Sequence, residues 1–152
     1  LEFSRHQKNE ETETVYLKNL IEEVVSKYEN KKININVDHD LKINMRTNSI
    51  KRCLVNLIDN GFSYGQKVNI LTKKTFNSVV IMVDDDGPGI PENEYLNVLK
   101  PFYRIDKSRG QNKSGVGLGL SITNDIIRAH GGSITFDKSP LNGLRAKVTL
   151  PF

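Results

Sequence analysis

The stretch Val79-Val80-Ile81-Met82-Val83-Asp84-Asp85-Asp86-Gly87-Pro88-Gly89-Ile90 joins an apolar run to three consecutive carboxylates and a Gly-Pro-Gly turn. The β-branched run predicts a buried strand that delivers an acid to a pocket. Adjacent carboxylates repel one another, so we expect a turn at the strand end to point them in different directions. Gly87 and Gly89 permit a close approach of the backbone to a ligand, or a positive φ. A plain Asp-Gly hairpin turn is the alternative that this segment alone leaves open.

The composition is that of a globular protein with one domain. The chain has 152 residues, of which 37% are apolar and 26% charged, with a mean hydropathy of -0.45, and this length allows a sizeable core. Its apolar runs are shorter than a membrane span. The single cysteine, Cys53, excludes an internal disulfide and is expected to be a small core residue. A net charge of +4 suits nucleotide phosphates. Nucleic-acid binding is only a secondary hypothesis, because the basic residues are scattered.

The first part of the chain predicts a short segment followed by a domain. Residues 1–13 are expected to be the end of a preceding helix and a polar linker, and residues 14–152 the domain. Apolar spacing predicts a helix over residues 17–28, and alternation predicts a strand over residues 33–37. Residues 43–45 are expected to pair with that strand or to lie beside it.

A second helix carries a polar flank beside its buried stripe. We expect Asn48 or Ser49 to cap it, and the apolar stripe consists of Ile50, Cys53, Leu54, Leu57, Ile58 and Gly61. At about 100° per residue, Asn56, Asn60 and Ser63 share one flank of that stripe. Asparagine is seldom buried without partners, so the pair indicates a polar ligand. A solvated flank, or hydrogen bonds to a neighbouring loop, is the alternative.

The segment after the acidic loop predicts a short helix, a mobile lid and an anion site. Pro91 is well placed to begin a helix through residue 99, and the basic residues 105–114 cannot form a core. A mobile basic segment beside an acidic pocket suggests a lid over phosphates. Residues 115–120 are rich in glycine and lead into an apolar helix, where free N–H groups favour an anion. Close helix packing also uses glycines. His130 is expected to interact with the C-terminal dipole of that helix.

Four motifs in this order resemble the N, G1, F and G2 boxes of sensor histidine kinases, in the gyrase, Hsp90, histidine kinase and MutL ATPase superfamily. They are Asn56-Leu-Ile-Asp-Asn60, Asp85-x-Gly87-x-Gly89-Ile90, Pro101-Phe-Tyr-Arg104 and Gly115-x-Gly117-Leu-Gly119-Leu120. The resemblance implies an α+β fold, a two-layer α/β sandwich with helices on one face of a mixed β-sheet and a mobile ATP lid. The boxes are similar in particular to the catalytic half of osmolarity-sensor-type kinases.

The same resemblance implies the roles of individual residues. Asp85 would accept a hydrogen bond from the adenine amino group, with Gly87 and Gly89 admitting the ring. Asn60, together with Asn56, would ligate Mg²⁺ bound to the phosphates of ATP. Other expected nucleotide contacts are Tyr64, Ile90, Phe102, Gly115, Gly117, Leu118 and Gly119, and the expected catalytic residues are Asn60, Arg104 and Arg109.

The implied reaction transfers the γ-phosphoryl group of ATP to a histidine on the dimerisation and histidine-phosphotransfer domain of the same kinase, and then to an aspartate of a response regulator. That acceptor normally precedes the segment seen here, so His6 is not expected to be the acceptor. The implied location is cytoplasmic, in a full-length protein anchored in a bacterial inner membrane. Nucleic acid and direct membrane contact are not expected for this fragment.

Three departures from the family pattern leave an alternative open. Ser63 stands where Lys or Arg is usual, Gly61 where Ala is usual, and Val116 where Thr or Ser is usual. Loss of a basic contact and a hydroxyl predicts weaker nucleotide binding, unless Lys67 or Lys113 compensates. The alternative is a degenerate nucleotide-binding module with weak or no kinase activity. A gyrase- or MutL-type ATPase would instead carry a glutamate one turn before the Mg²⁺ asparagine, because an amide cannot act as a general base.

Overall fold

The computed structural model describes residues 10–103 and 119–152. Their elements are, in chain order, β1 (Glu13–Tyr16), α1 (Leu17–Val25), β2 (Lys32–Asn36), β3 (Lys42–Met45), α2 (Thr47–Tyr64), β4 (Lys67–Lys74), β5 (Ser78–Asp85), α3 (Gly119–Ala129), β6 (Ser133–Lys138) and β7 (Leu144–Pro151). Two 3₁₀ turns, Glu92–Glu94 and Asn97–Leu99, follow β5. Within the described ranges, no helix has the length and apolar character that a membrane crossing requires.

A mixed five-stranded sheet forms one layer, in the order β2-β4-β5-β7-β6. β2 and β4 run parallel, whereas the other neighbouring strands are antiparallel. Side chains alternate along a strand, so Val79, Ile81 and Val83 of the central strand β5 point to one face, where all three are buried. Asp85 continues that alternation. Its side chain therefore emerges on the apolar face of the sheet, at the end of β5.

The helices form the second layer on that face. α2 packs against α1, α3, β4 and β5. The predicted stripe of α2 is buried in full, from Ile50 to Gly61. Cys53 is one of its members, and burial raises the pKa of its thiol to about 12, as expected of a core residue. The predicted two-layer α/β sandwich with helices on one face of a mixed sheet is confirmed.

The position of residues 43–45 differs from the prediction. β3 does not join β2 but pairs with β1 in a separate two-stranded antiparallel sheet, with Val15 opposite Ile43. β2 instead pairs in parallel with β4 and places Ile35 opposite Ile70. Both pairings match apolar residues across strands, and a strand of four residues carries too little pattern to select between partners.

The start of α2 also differs from the prediction. α2 begins at Thr47, and neither Asn48 nor Ser49 caps it through its own side chain. The Glu10 carboxylate accepts hydrogen bonds from the Asn48 amide at 2.7 Å and the Ser49 amide at 3.0 Å. A carboxylate here satisfies free amides and faces the positive end of the helix dipole. The end of the predicted linker therefore docks onto the domain.

The short helix predicted from residue 91 is two separate 3₁₀ turns. Pro91 precedes the first turn in an extended conformation. Val98 and Leu99 pack partly against the core, whereas Leu96 is 80% exposed. This segment lacks the continuous apolar face that would hold a longer helix on the sheet.

Candidate functional site

Three consecutive carboxylates at the end of β5 have three different partners. Asp84 forms a two-bonded ion pair with Arg145 of β7. Asp86 lies outside the strand and accepts hydrogen bonds from the amides of Gln66 at 2.7 Å and Lys67 at 2.9 Å. Asp85 lies between them and faces α2. The expected divergence of the three carboxylates is thus observed, and the strand extends two residues further than the apolar run.

The Asp85 carboxylate is oriented by backbone amides and keeps one oxygen available. Oδ1 accepts hydrogen bonds from Gly87 N at 2.9 Å and Leu144 N at 3.1 Å. Oδ2 has no hydrogen-bond partner among residues 10–103 and 119–152. Burial raises the pKa of Asp85, and the charges of Asp86 and Asp84 act in the same direction, while the two amide bonds oppose them. This geometry presents a fixed acceptor to a ligand that carries a donor.

Glycines from three segments make room for that carboxylate. A Cβ at Gly143 would lie 2.2 Å from Asp85 Oδ1 and 2.4 Å from its backbone oxygen. A Cβ at Gly61 of α2 would lie 3.0 Å from Val68 Cγ2 and 3.7 Å from Asp85 Oδ2. A Cβ at Gly87 would lie 3.2 Å from Asp85 Oδ1 and 3.2 Å from Tyr64 Cβ. Gly143 and the Leu144 amide were not identified from the sequence as parts of the site.

The loop after β5 has the turn chemistry that its glycines predicted. Gly89 adopts a φ of +74°, which L residues seldom tolerate. Ile90 is half-buried and packs against the core, while the Tyr64 side chain is 46% exposed. The structure therefore brings Tyr64, Gly87 and Asp85 together at one end of α2.

The two asparagines on the polar flank of α2 differ in their side-chain hydrogen bonds to the described residues. Asn56 donates from Nδ2 to Gly119 O and to Thr123 Oγ1, both at 3.2 Å, which ties α2 to the first turn of α3. Its carbonyl Oδ1 has no hydrogen-bond partner among the residues that the structure describes. The side chain of Asn60, one turn later, makes no hydrogen bond within the described part of the chain. Ser63 donates to the Asp59 carbonyl in its own helix. The contact of Asn56 to Thr123 had no signal in the sequence.

The remaining predicted site residues fall into two groups. Gly119 is the first described residue of α3 and lies next to Asn56. Phe102 has a φ of +64° and is 67% exposed. Arg104, Arg109, Gly115, Gly117 and Leu118, with the predicted lid at 105–114, lie outside the described residues, and their roles stay predictions.

His130 joins α3 to the start of α2. Its Nδ1 donates to the Ile126 carbonyl at 2.8 Å, and its Nε2 accepts a hydrogen bond from the Arg46 amide at 3.1 Å. Only a neutral ring can make both bonds. Burial lowers the pKa of His130. The residue does bond the C-terminal end of α3, but as a neutral link between helices and not as the predicted dipole partner.

Comparison with known proteins places this geometry in a family. Residues 45–152 match the family described as histidine kinase-, DNA gyrase B- and HSP90-like ATPases. Curated relatives are the sensor histidine kinases GtrS of Pseudomonas aeruginosa, 39% identical over 103 residues, CpxA of Escherichia coli, 35% identical over 105, and WalK of Bacillus subtilis, 33% identical over 120. The matches cover 68%, 68% and 76% of this chain and 21%, 23% and 20% of those proteins.

Solved structures agree with this grouping. The nucleotide-free catalytic domain of the histidine kinase ThkA superposes with a TM-score of 0.80 at 29% identity, over 93% of this chain and 95% of that one. The present chain spans about a fifth of the length of its curated relatives. The chain belongs to the histidine kinase-, DNA gyrase B- and HSP90-like ATPase family, and it is an ATP-binding catalytic domain of the sensor histidine kinase type.

Proposed function

We propose that this chain binds ATP with Mg²⁺ and provides the kinase half of a phosphorelay. The observation that carries the proposal is the Asp85 carboxylate, with Oδ1 held by two amides and Oδ2 available. An acceptor fixed in this way suits the amino group of adenine and disfavours a base that presents a carbonyl there. Gly143 lies so close to Asp85 that a Cβ there would be 2.2 Å from Oδ1, and this close approach allows the next residue, Leu144, to donate its amide to the same oxygen.

Mg²⁺ fits the available oxygens of the α2 flank. A hard cation prefers carbonyl and carboxylate oxygens and is held largely by the nucleotide phosphates. The Asn60 side chain has an uncommitted carbonyl, and Asn56 retains Oδ1 after donating both amide bonds. We assign Asn60 as the principal protein ligand, with Asn56 positioning the first turn of α3 and contributing its oxygen. Bound ATP supplies the transferable phosphoryl group.

The phosphates would extend from α2 towards the start of α3. Amides at the N-terminus of a helix bind anions, and Gly119 brings that end of α3 next to Asn56. Gly115, Gly117 and Leu118 are proposed to contribute amides, and Arg104 and Arg109 to neutralise charge on the terminal phosphate. Phe102 is proposed to hold the lid, and Tyr64 and Ile90 to border the base.

The proposed acceptor is a histidine on a separate dimerisation and histidine-phosphotransfer domain, with a response-regulator aspartate next in the relay. Residues 1–13 would connect the two domains. We further propose a cytoplasmic location in a full-length protein anchored in a bacterial inner membrane. Hydrolysis is disfavoured because Asn56 stands where a water-activating glutamate would be needed. Ser63 donates its hydroxyl to the Asp59 carbonyl in its own helix. The match to the ATPase family and to curated sensor histidine kinases gives no support to the degenerate alternative.

Phosphotransfer to an added domain tests the proposal. The chain is incubated with Mg²⁺, γ-labelled ATP and a separately produced dimerisation domain of a related kinase. We expect an acid-labile, base-stable phosphoryl group on that domain, and none when its acceptor histidine is replaced by Gln. ATP hydrolysis without the added domain should stay at background. Rapid hydrolysis by the chain alone would instead indicate a gyrase- or MutL-type ATPase. A salt-dependent shift with random DNA, unaffected by ATP, would indicate a nucleic-acid binder.

A further inference from the structure

An ion pair closes the β5–β7 ladder beside the pocket. Asp84 and Arg145 are the last pair in register between the two strands. Arg145 donates from Nε to Asp84 Oδ1 at 2.8 Å and from Nη2 to Oδ2 at 2.9 Å. Asp84 is only 1% exposed, and a carboxylate buried to this degree needs such a partner. The bidentate geometry also fixes the direction of both side chains.

The adjacent residues of the same strands contact the Asp85 carboxylate. Leu144 precedes Arg145, and its amide bonds Asp85 Oδ1 instead of continuing the ladder. Gly143 then passes against Asp85 with no room for a Cβ. Two consecutive residues of β7 therefore hold two consecutive carboxylates of β5. A shift of β7 that lengthened the bond from Leu144 would change the direction of the Asp85 carboxylate.

We propose that Arg145 is a positioning residue for Asp85 and acts through Asp84. The inference rests on the proposed nucleotide-binding function of Asp85. Arg145 holds the last pair of the ladder in register, and its charge offsets that of Asp84, which lies next to the pocket carboxylate. An Asp85 that stays ionised and fixed in direction is the form that accepts a hydrogen bond from a base.

Among residues 10–103 and 119–152, the other groups around Asp85 leave this task to Arg145. Asp86 is the other neighbouring charge, and its carboxylate is bonded by the amides of Gln66 and Lys67. α2 faces Asp85 with Gly61, and β4 places Val68 opposite it in register. Both residues are uncharged. Burial raises the pKa of Asp85, and the charges of Asp86 and Asp84 raise it as well. Because Arg145 pairs with Asp84, we expect loss of the Arg145 guanidinium to raise the pKa of Asp85 further.

Three variants separate positioning from general stability. Arg145→Leu leaves the buried Asp84 charge without its partner. Arg145→Lys keeps the charge but loses the two-bonded geometry. The double variant Asp84→Val with Arg145→Leu removes both charges and retains apolar bulk on both strands, a replacement that is often neutral for stability. Thermal unfolding confirms that each variant is folded under the conditions of measurement.

The experiment combines two measurements on each variant. Carbon-13 NMR follows the titration of the Asp85 carboxyl without nucleotide, and calorimetry measures ATP affinity at neutral pH with Mg²⁺. We expect Arg145→Leu to raise the Asp85 titration midpoint by about one pH unit and to weaken ATP about tenfold. Arg145→Lys should give an Asp85 titration midpoint and an ATP affinity between those of Arg145→Leu and the wild type. The double variant should return to within about threefold of the wild-type affinity.

Two results would overturn the role of Arg145. One is an Asp85 titration that Arg145→Leu leaves unchanged, and the other is a double variant as impaired as the single one. If Arg145→Leu does not fold, Arg145→Lys and the double variant decide by the same criteria. A wild-type chain that binds no ATP would instead contradict the proposed function, and the Asp85 titration would still decide whether Arg145 acts on this carboxylate.

Discussion

The two ends of the candidate site are built in different ways. Around Asp85, the sheet supplies fixed amides, an ion pair and glycine contacts, so the acceptor is oriented before any ligand binds. Along the α2 flank, Asn60 has no partner within residues 10–103 and 119–152, and Asn56 is tied to α3. The proposed recognition of the base would therefore rest on the sheet. The proposed metal contact rests on a side chain with freedom to adjust, because a cation held by phosphates needs little from the protein.

The largest expected effect comes from Asp85→Asn. The amide must keep its oxygen towards Gly87 and Leu144, which turns its NH₂ group towards the adenine donor. We expect ATP affinity to fall about 100-fold or more in calorimetry. Asp86→Asn is the matched control, since Asp86 bonds only the turn after α2. It should lower stability by about 1 kcal/mol and leave affinity nearly unchanged. An equal loss of ATP affinity in Asp85→Asn and Asp86→Asn would contradict a specific role of Asp85 in nucleotide binding.

A pair of glycine substitutions compares the two ends directly. Gly143→Ala would place Cβ 2.2 Å from Asp85 Oδ1, whereas Gly119→Ala would place it 3.8 Å from Asn56 Cγ, an ordinary contact. We expect Gly143→Ala to destabilise the fold by about 3 kcal/mol and to abolish ATP binding. Gly119→Ala should change stability by less than about 0.5 kcal/mol. Chemical denaturation measures the stability of both variants. A Gly143→Ala variant with wild-type stability would contradict the close packing of Gly143 against Asp85.

The two asparagines should separate affinity from stability. Asn60→Ala should leave stability within about 0.5 kcal/mol of the wild type and weaken ATP about tenfold with Mg²⁺ present. The same variant should show no defect in EDTA. Asn56→Ala should cost about 1 kcal/mol of stability, because Gly119 and Thr123 lose their donor. A stability loss confined to Asn60→Ala would reverse the proposed division of roles.

The smallest expected effect is a pH dependence at the contact between α2 and α3. The pKa of His130 lies below its ordinary value of 6.5 because of burial. Its neutral ring therefore stabilises the fold fully above pH 6.5, and this contribution is lost as the pH falls towards the folded pKa. We expect a loss of about 1 kcal/mol or less between pH 7.5 and 5.5. His130→Gln should flatten this profile, whereas the exposed His39→Gln should leave it unchanged.

The sequence predicted the fold well where apolar periodicity was long. The stripe of α2 and the strand leading to Asp85 are confirmed because each has enough residues to define a face. The partner of β3 was wrong, since four residues cannot specify a distant strand. The cap of α2 was wrong for a related reason. Glu10 reaches Asn48 across 38 positions of the chain, and local capping preferences contain no information about such contacts.

The site was predictable to the extent that its chemistry lies in short motifs. Asp85, Gly87 and Gly89 were identified because an acid and glycines adjoin a buried strand. Gly143 and Leu144 were not identified, because they act through space and backbone amides. A glycine before a final strand has the same sequence appearance whether it merely turns the chain or admits a carboxylate. The distances to Asp85 distinguish the two.

Gly143 also has a genetic consequence. Every single-nucleotide change that alters a glycine codon introduces a residue with a Cβ or a stop. A Cβ at Gly143 would clash with atoms of Asp85 and Gly87, and a Cβ at Gly132, which is remote from Asp85 in the sheet register, would lie 2.0 Å from the Thr149 backbone oxygen. A library of point mutants should therefore be depleted at both codons. Selection for folding alone accounts for the depletion at Gly132, whereas at Gly143 selection for folding and for nucleotide binding act on the same codon.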